Sequence, residues 1–129
     1  MIVVDASVAL EILIRTPLGA KHTERIGHED VHAPHLIDVE CLNALRRLIF
    51  GGGLSANTAE EALRGLRDWR MERHELTPLL PRIWELRNSI SAYDASYVAL
   101  AEALDAPLLT CDVKLSRARG HMARIELLA

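Results

Sequence analysis

The chain has 129 residues, of which 50% are hydrophobic and 26% charged, with a formal net charge of −3 and a mean hydropathy of +0.09. These figures suit a single domain over residues 1–129 with a core of its own, and exclude disorder, collagen and low complexity. Two cysteines rule out a disulfide scaffold and form no C-x-x-C pair for zinc; with no secretory leader or membrane-length apolar run legible, a cytoplasmic protein without membrane contact is expected.

Met1-Ile-Val-Val-Asp5 is a short β-branched run ending in an acid and reads as a buried strand. Ala6–Arg15 is helical and almost wholly apolar, stopped by Thr16-Pro17. A second short helix is expected from Gly19 to Ile26, then a brief strand at Val31–Ala33 before Pro34. Val39, Leu42, Leu45, Leu48 and Ile49 recur at helical spacing, so a helix runs from Ile37 to Phe50, and Gly51-Gly52-Gly53 ends it. Ser55 can cap another helix, predicted from Ala56 to Glu72 with Ala59, Ala62, Leu63, Leu66 and Trp69 on one face. A strand at Glu75–Thr77 precedes Pro78, and Pro81 opens a helix to about Asn88. Ser91–Leu104 is Ala-rich and helical, Leu108–Thr110 reads as a strand, and Ile125–Leu128 as the last one. The alternation of strands and helices predicts a mostly parallel sheet with helices on both faces.

In open sheets of this kind, sites form beyond the carboxyl ends of the strands. Asp5 and Asp112 follow two of the predicted strands, although Asp5 could simply cap its helix and Asp112 begin a turn. Glu40 and Asp94 sit in helices among apolar and small residues, where a single acid is usually just solvated surface. If all four converge they cannot stay ionised uncompensated, since two unit charges 4 Å apart repel by about 4 kcal/mol at an effective dielectric of 20. Either their protons return or divalent cations balance them, and an all-oxygen donor set suits Mg²⁺ or Mn²⁺ better than zinc. Bound cations would also draw a phosphodiester to a mildly acidic chain.

Val3-Val4-Asp5-Ala-Ser7, Val39-Glu40-Cys-Leu-Asn43, Tyr93-Asp94-Ala-Ser-Tyr97 and Leu109-Thr110-Cys-Asp112-Val-Lys-Leu115 resemble, in order and spacing, the motifs of PIN-domain nucleases, and in particular of the VapC toxins of toxin–antitoxin pairs. The resemblance spans the chain. It implies a PIN-like three-layer α/β/α sandwich and a toxin acting as a Mg²⁺- or Mn²⁺-dependent endoribonuclease, with one or two ions per site. It further implies an RNA substrate, a homodimer, and inhibition by a VapB-type antitoxin on a separate chain. Asp5, Glu40, Asp94 and Asp112 fall on the family's acidic positions, Ser7 and Thr110 on positions whose hydroxyls support them, and Asn43 on a common polar neighbour. One departure is that Ser116, Arg117 and Arg119 stand where many relatives carry a further carboxylate.

Arg87, Lys114, Arg117 and Arg119 are candidate phosphate contacts. Arg64, Arg67, Arg70 and Arg73 recur every three residues and read as the solvated face of a helix, or else as an RNA backbone track. His32-x-x-His35 lacks a third nitrogen or sulfur ligand and reads as surface or a pH-sensitive rim rather than a zinc site. Two other function classes fit a short α/β chain with acids at strand ends. One is a receiver-like phosphoacceptor signalling domain, with Lys114 as its late lysine. The other is a catalytically idle PIN-like module that only binds RNA or a partner.

Overall fold

A computed structural model describes residues 1–129. In chain order the elements are β1 (Ile2–Val4), α1 (Ala6–Leu13), α2 (Pro17–Gly27), β2 (Val31–Pro34), α3 (Leu36–Phe50), α4 (Ala56–Asp68), β3 (Glu72–His74), α5 (Leu80–Glu85), α6 (Ala92–Leu104), β4 (Leu108–Thr110), α7 (Val113–Ser116) and β5 (Ile125–Leu127), with a 3₁₀ turn at Thr77–Leu79 before α5. All strand pairs are parallel, in the order β3-β2-β1-β4-β5, and the helices complete a PIN-like three-layer α/β/α sandwich. No helix is long and apolar enough to cross a membrane.

Helix starts follow local chemistry. Thr16, Ser55 and Ser91 each accept a hydrogen bond from a first-turn N–H of α2, α4 and α6, at 3.0, 3.1 and 3.2 Å, and Pro17 takes the first position of α2, where a missing N–H costs nothing. Asp105 ends α6 in the left-handed region at φ 48°. The central strands β1 and β4 are fully buried and apolar except for Thr110, as parallel strands covered on both faces tend to be. Across them, α6 buries seven successive residues from Ala95 to Ala101, because it packs on β1 and β2 while α5 packs on it. A helix enclosed on most sides needs no polar stripe, and its small side chains let it approach the sheet closely.

Two predicted boundaries fail together. Helix α4 stops at Asp68 rather than Glu72, since Trp69 turns to extended backbone at φ −68°, ψ 125°. The next strand is Glu72–His74, not Glu75–Thr77, and follows Met71, which is buried at the sheet margin. The arginine series is therefore not one helix face: Arg70 and Arg73 lie beyond the helix. Arg73 instead grips Asp38 through two nitrogens, at 2.8–3.0 Å, and donates to the Leu66 carbonyl at 2.9 Å.

Topology also decides against one alternative. A receiver-like domain has the sheet order 2-1-3-4-5. Here β1 is central, the chain steps outward through β2 to β3, then crosses back to lay β4 and β5 on the other side. The order reverses between β1 and β4, and that junction is where a crevice opens at the carboxyl ends of the strands.

Candidate active site

Asp5 leaves the carboxyl end of β1 and Asp112 follows β4, so the two acids flank the reversal point. Asp5 caps α1 through the Val8 N–H at 3.1 Å, and Asp112 caps α7 through the Lys114 N–H at 2.8 Å. The capping role anticipated for Asp5 is therefore real, and Asp112, expected at most to begin a turn, caps a helix as well; capping accounts for only part of what the two acids do. Glu40 projects from α3 and Asp94 from the first turn of α6, and all four line one cleft of about 330 Å³, together with Ser7, Arg47 and Tyr97. No three of the carboxylates come within 4.8 Å of one another, so they ring the cleft rather than closing over its centre.

Two hydroxyls stitch the strand ends together. Thr110 Oγ1 donates to Asp5 Oδ2 and accepts from the Asp112 N–H at 3.0 Å. Ser7 Oγ donates to Asp5 Oδ1 at 2.5 Å and accepts from the Cys111 N–H at 2.9 Å. Each hydroxyl uses its proton on the acid and a lone pair on the backbone of the β4 end, which fixes the acid's orientation. The Tyr97 hydroxyl donates to Glu40 Oε1 at 2.6 Å. The Asp94 carboxylate has no such donor; only its backbone N–H is engaged, by Ser91.

Electrostatics match this crowding. Burial pushes the Asp5 carboxyl above its ordinary value, opposed by the hydrogen bonds from Ser7, Thr110 and the Val8 N–H. Asp94 is also raised, first by burial and then by the charges of Asp112, Asp5 and Glu40. Burial and the bond to Glu40 raise the Tyr97 phenol, so it remains a donor, and burial beside the acids pushes the Cys41 thiol up to about 12. A thiol held in that state is no nucleophile at neutral pH.

The donor set is all oxygen and four acids face the single basic side chain of Arg47, so the residues fit a hard divalent cation. Since no three of them converge within 4.8 Å, the set fits an ion such as Mg²⁺ that keeps several of its waters and takes one or two carboxylates directly. Arg47 is the cleft's basic side chain. It was not anticipated, although it lies seven residues after Glu40 and so on the same side of α3, two turns along. Tyr97, one turn after Asp94, was legible in the same way. Asn43 is exposed and outside the lining, whereas Ala44, four residues after Glu40, takes the expected place: the cleft meets α3 along its i, i+4, i+7 line. Arg87, Lys114, Arg117 and Arg119 are all exposed and outside the lining; Arg87 stacks over Trp84, with 4.6 Å from its guanidinium carbon to the ring centroid.

Comparison with known proteins gives a consistent picture. The PIN-domain family model matches residues 2–120. Ribonuclease VapC12 of Mycobacterium tuberculosis is 40% identical over 129 residues, covering 100% of both chains, and Ribonuclease VapC9 of the same species is 46% identical over 116 residues, covering 90% of this chain and 89% of its own. Among solved structures, PAE2754 from Pyrobaculum aerophilum superposes with a TM-score of 0.74 at 26% identity, over 95% of this chain and 81% of its own. VapBC2 from Rickettsia felis, solved bound to a DNA fragment from its promoter, shares the fold at a TM-score of 0.71 and 14% identity, with 100% of both chains covered.

Proposed function

The chain belongs to the PIN-domain family, in its VapC branch, and from that premise we propose that it is the toxin of a toxin–antitoxin pair, an endoribonuclease that hydrolyses RNA phosphodiester bonds with Mg²⁺ or Mn²⁺. The observation that carries this reading is the meeting of four carboxylates in one cleft at the reversal point of the sheet. Asp5, Glu40, Asp94 and Asp112 would hold one or two ions. Bound there, such an ion lowers the pKa of water and offsets the charge of the phosphoryl oxygens.

The chain's own residues supply the rest. Ser7 and Thr110 aim Asp5 and partly offset the effect of its burial, and the Tyr97 hydroxyl aims Glu40. Asp94, raised and without a hydrogen-bond donor, is free to take the proton of the attacking water as the new P–O bond forms and the RNA oxygen leaves. Arg47 offers a guanidinium to the non-bridging oxygens, and the exposed Lys114, Arg117 and Arg119 follow Asp112 closely enough in sequence to extend the phosphate track.

Residues 1–129 act as one domain, in the cytoplasm, with RNA read through its shape and phosphates, since aromatic residues are only 4% of the chain. An apolar groove between α3 and α4, lined by Leu42, Ile49 and Leu63, supports a protein partner of the VapB type. A homodimer is part of the same reading. The decisive experiment incubates the purified chain with RNA: cleavage is expected with Mn²⁺ or Mg²⁺, none with EDTA, and none from Asp5→Asn. RNA bound but left intact under every metal would favour the idle module instead.

A further inference from the structure

Away from the acidic cleft, three metal-type donors stand together at the β3 edge of the sheet. His32, Glu72 and His74 place one ligand atom each within 4.8 Å of the others, and no other trio of His, Cys, Asp or Glu does so. The strand register explains the grouping. β2 and β3 pair His32 with Glu72 and Pro34 with His74, and side chains two apart share a face, so all three project to one side while Arg73 turns to the other.

His32 Nδ1 lies 2.8 Å from His74 Nε2 and 3.5 Å from Glu72 Oε2. Ligands held about 2.0–2.2 Å from a tetrahedral ion sit roughly 3.3–3.5 Å from one another, so small adjustments would bring all three onto one centre. On its other side His32 Nε2 is 2.9 Å from Asp30 Oδ2. That carboxylate holds the proton on Nε2 and turns the Nδ1 lone pair toward Glu72 and His74, the carboxylate–histidine arrangement that orients metal-bound imidazoles. The His32 side chain is only 4% exposed, which restricts its ring, whereas Glu72 is 64% exposed and leaves the fourth position open to water.

We propose that His32, Glu72 and His74 form a second metal site, taking a divalent transition ion of the Zn²⁺ class and clipping edge strand β3 to β2. The two sites divide ions by donor chemistry: imidazole nitrogens favour Zn²⁺, Co²⁺ or Ni²⁺, while the carboxylate ring suits Mg²⁺ or Mn²⁺. They are also separate in space. None of the three residues lines the cleft, and His32 pairs with Val3, two residues before Asp5 on β1. The histidine that joins His32 is not His35, its neighbour in sequence, which is exposed, but His74, brought in by a strand 42 positions away.

The test titrates the full chain with Zn²⁺ by calorimetry in excess Mg²⁺, and with Co²⁺ by visible absorption. One Zn²⁺ per chain is expected, retained when Asp94→Asn and Asp112→Asn remove two acids of the cleft. Affinity should fall at least tenfold in Glu72→Gln and vanish in His74→Ala, with the Co²⁺ d–d bands altered in the first and lost in the second. No Zn²⁺ uptake by the parent chain, or uptake that His74→Ala leaves unchanged, overturns the site. Should His74→Ala fail to fold, a Co²⁺ spectrum identical between the parent and Glu72→Gln overturns it instead.

Discussion

Thr110 shows how much one hydroxyl can support. It is fully buried, gives its proton to Asp5 and takes the N–H of Asp112, so Thr110→Val would keep the shape and strand both partners. Leaving buried polar groups unpaired costs about 1–3 kcal/mol, and the variant should melt lower by that amount and cleave RNA more slowly. Asp94→Asn should behave oppositely in stability. Because the folded protein raises the Asp94 carboxyl above its unfolded value, the native state binds the proton more tightly, and its stability falls as pH climbs through that interval. Removing the charge should therefore raise the melting temperature at neutral pH in EDTA, with the gain shrinking toward zero as pH is lowered through the carboxylate range. Cleavage by the same variant should drop by roughly 10²-fold or more, the usual weight of a lost general base. A melting profile identical to the parent's at every pH would remove the proposed repulsion. The four acids were picked out as a set, by their places at strand ends and in apolar stretches together with the motif resemblance, since each alone reads as a cap, a turn or solvated surface. Arg47 and Tyr97 went unassigned although their helical spacing from Glu40 and Asp94 puts them on the same sides of α3 and α6.

Among the elements, the α1–α2 corner is the least tolerant. A Cβ built on Gly19 would stand 1.9 Å from the Glu11 carbonyl oxygen and 2.4 Å from its carbon, a clash with backbone that no rotamer relieves. Gly19→Ala should then cost about 1–3 kcal/mol or more, read as a lowered denaturant midpoint. Helices and central strands were readable from period and caps. Edge strand β3 was not: its Glu-Arg-His sequence carries no apolar alternation, and its residues are placed by β2 and by the grip of Arg73 on Asp38. The arginine spacing that suggested a longer helix was sequence coincidence across the Trp69 turn. The Arg25–Glu126 bridge, with both side chains about 41–42% accessible, is worth no more than about 1 kcal/mol despite joining α2 to β5.

At the scale of the whole molecule, the site and the fold are the same event. An ion that binds only the assembled acids stabilises the native state by mass action, about 2.7 kcal/mol at a hundredfold excess over its dissociation constant. Mg²⁺ should therefore raise the melting temperature of the parent by several degrees and leave the Asp5→Asn, Asp94→Asn double variant unmoved; an equal shift in both would place the ion elsewhere. Sedimentation equilibrium should return about twice the 14.4 kDa chain mass if the dimer forms. The fold class was accessible from alternating elements, whereas the strand order that separates it from a phosphoacceptor sheet is a property of the assembled sheet that alternation alone does not encode. The bond between Asp5 and Thr110 spans 105 positions. A polypeptide leaving the ribosome thus exposes its first acid long before the residue that secures it, so the cleft can be assembled only when nearly all of the chain has been translated.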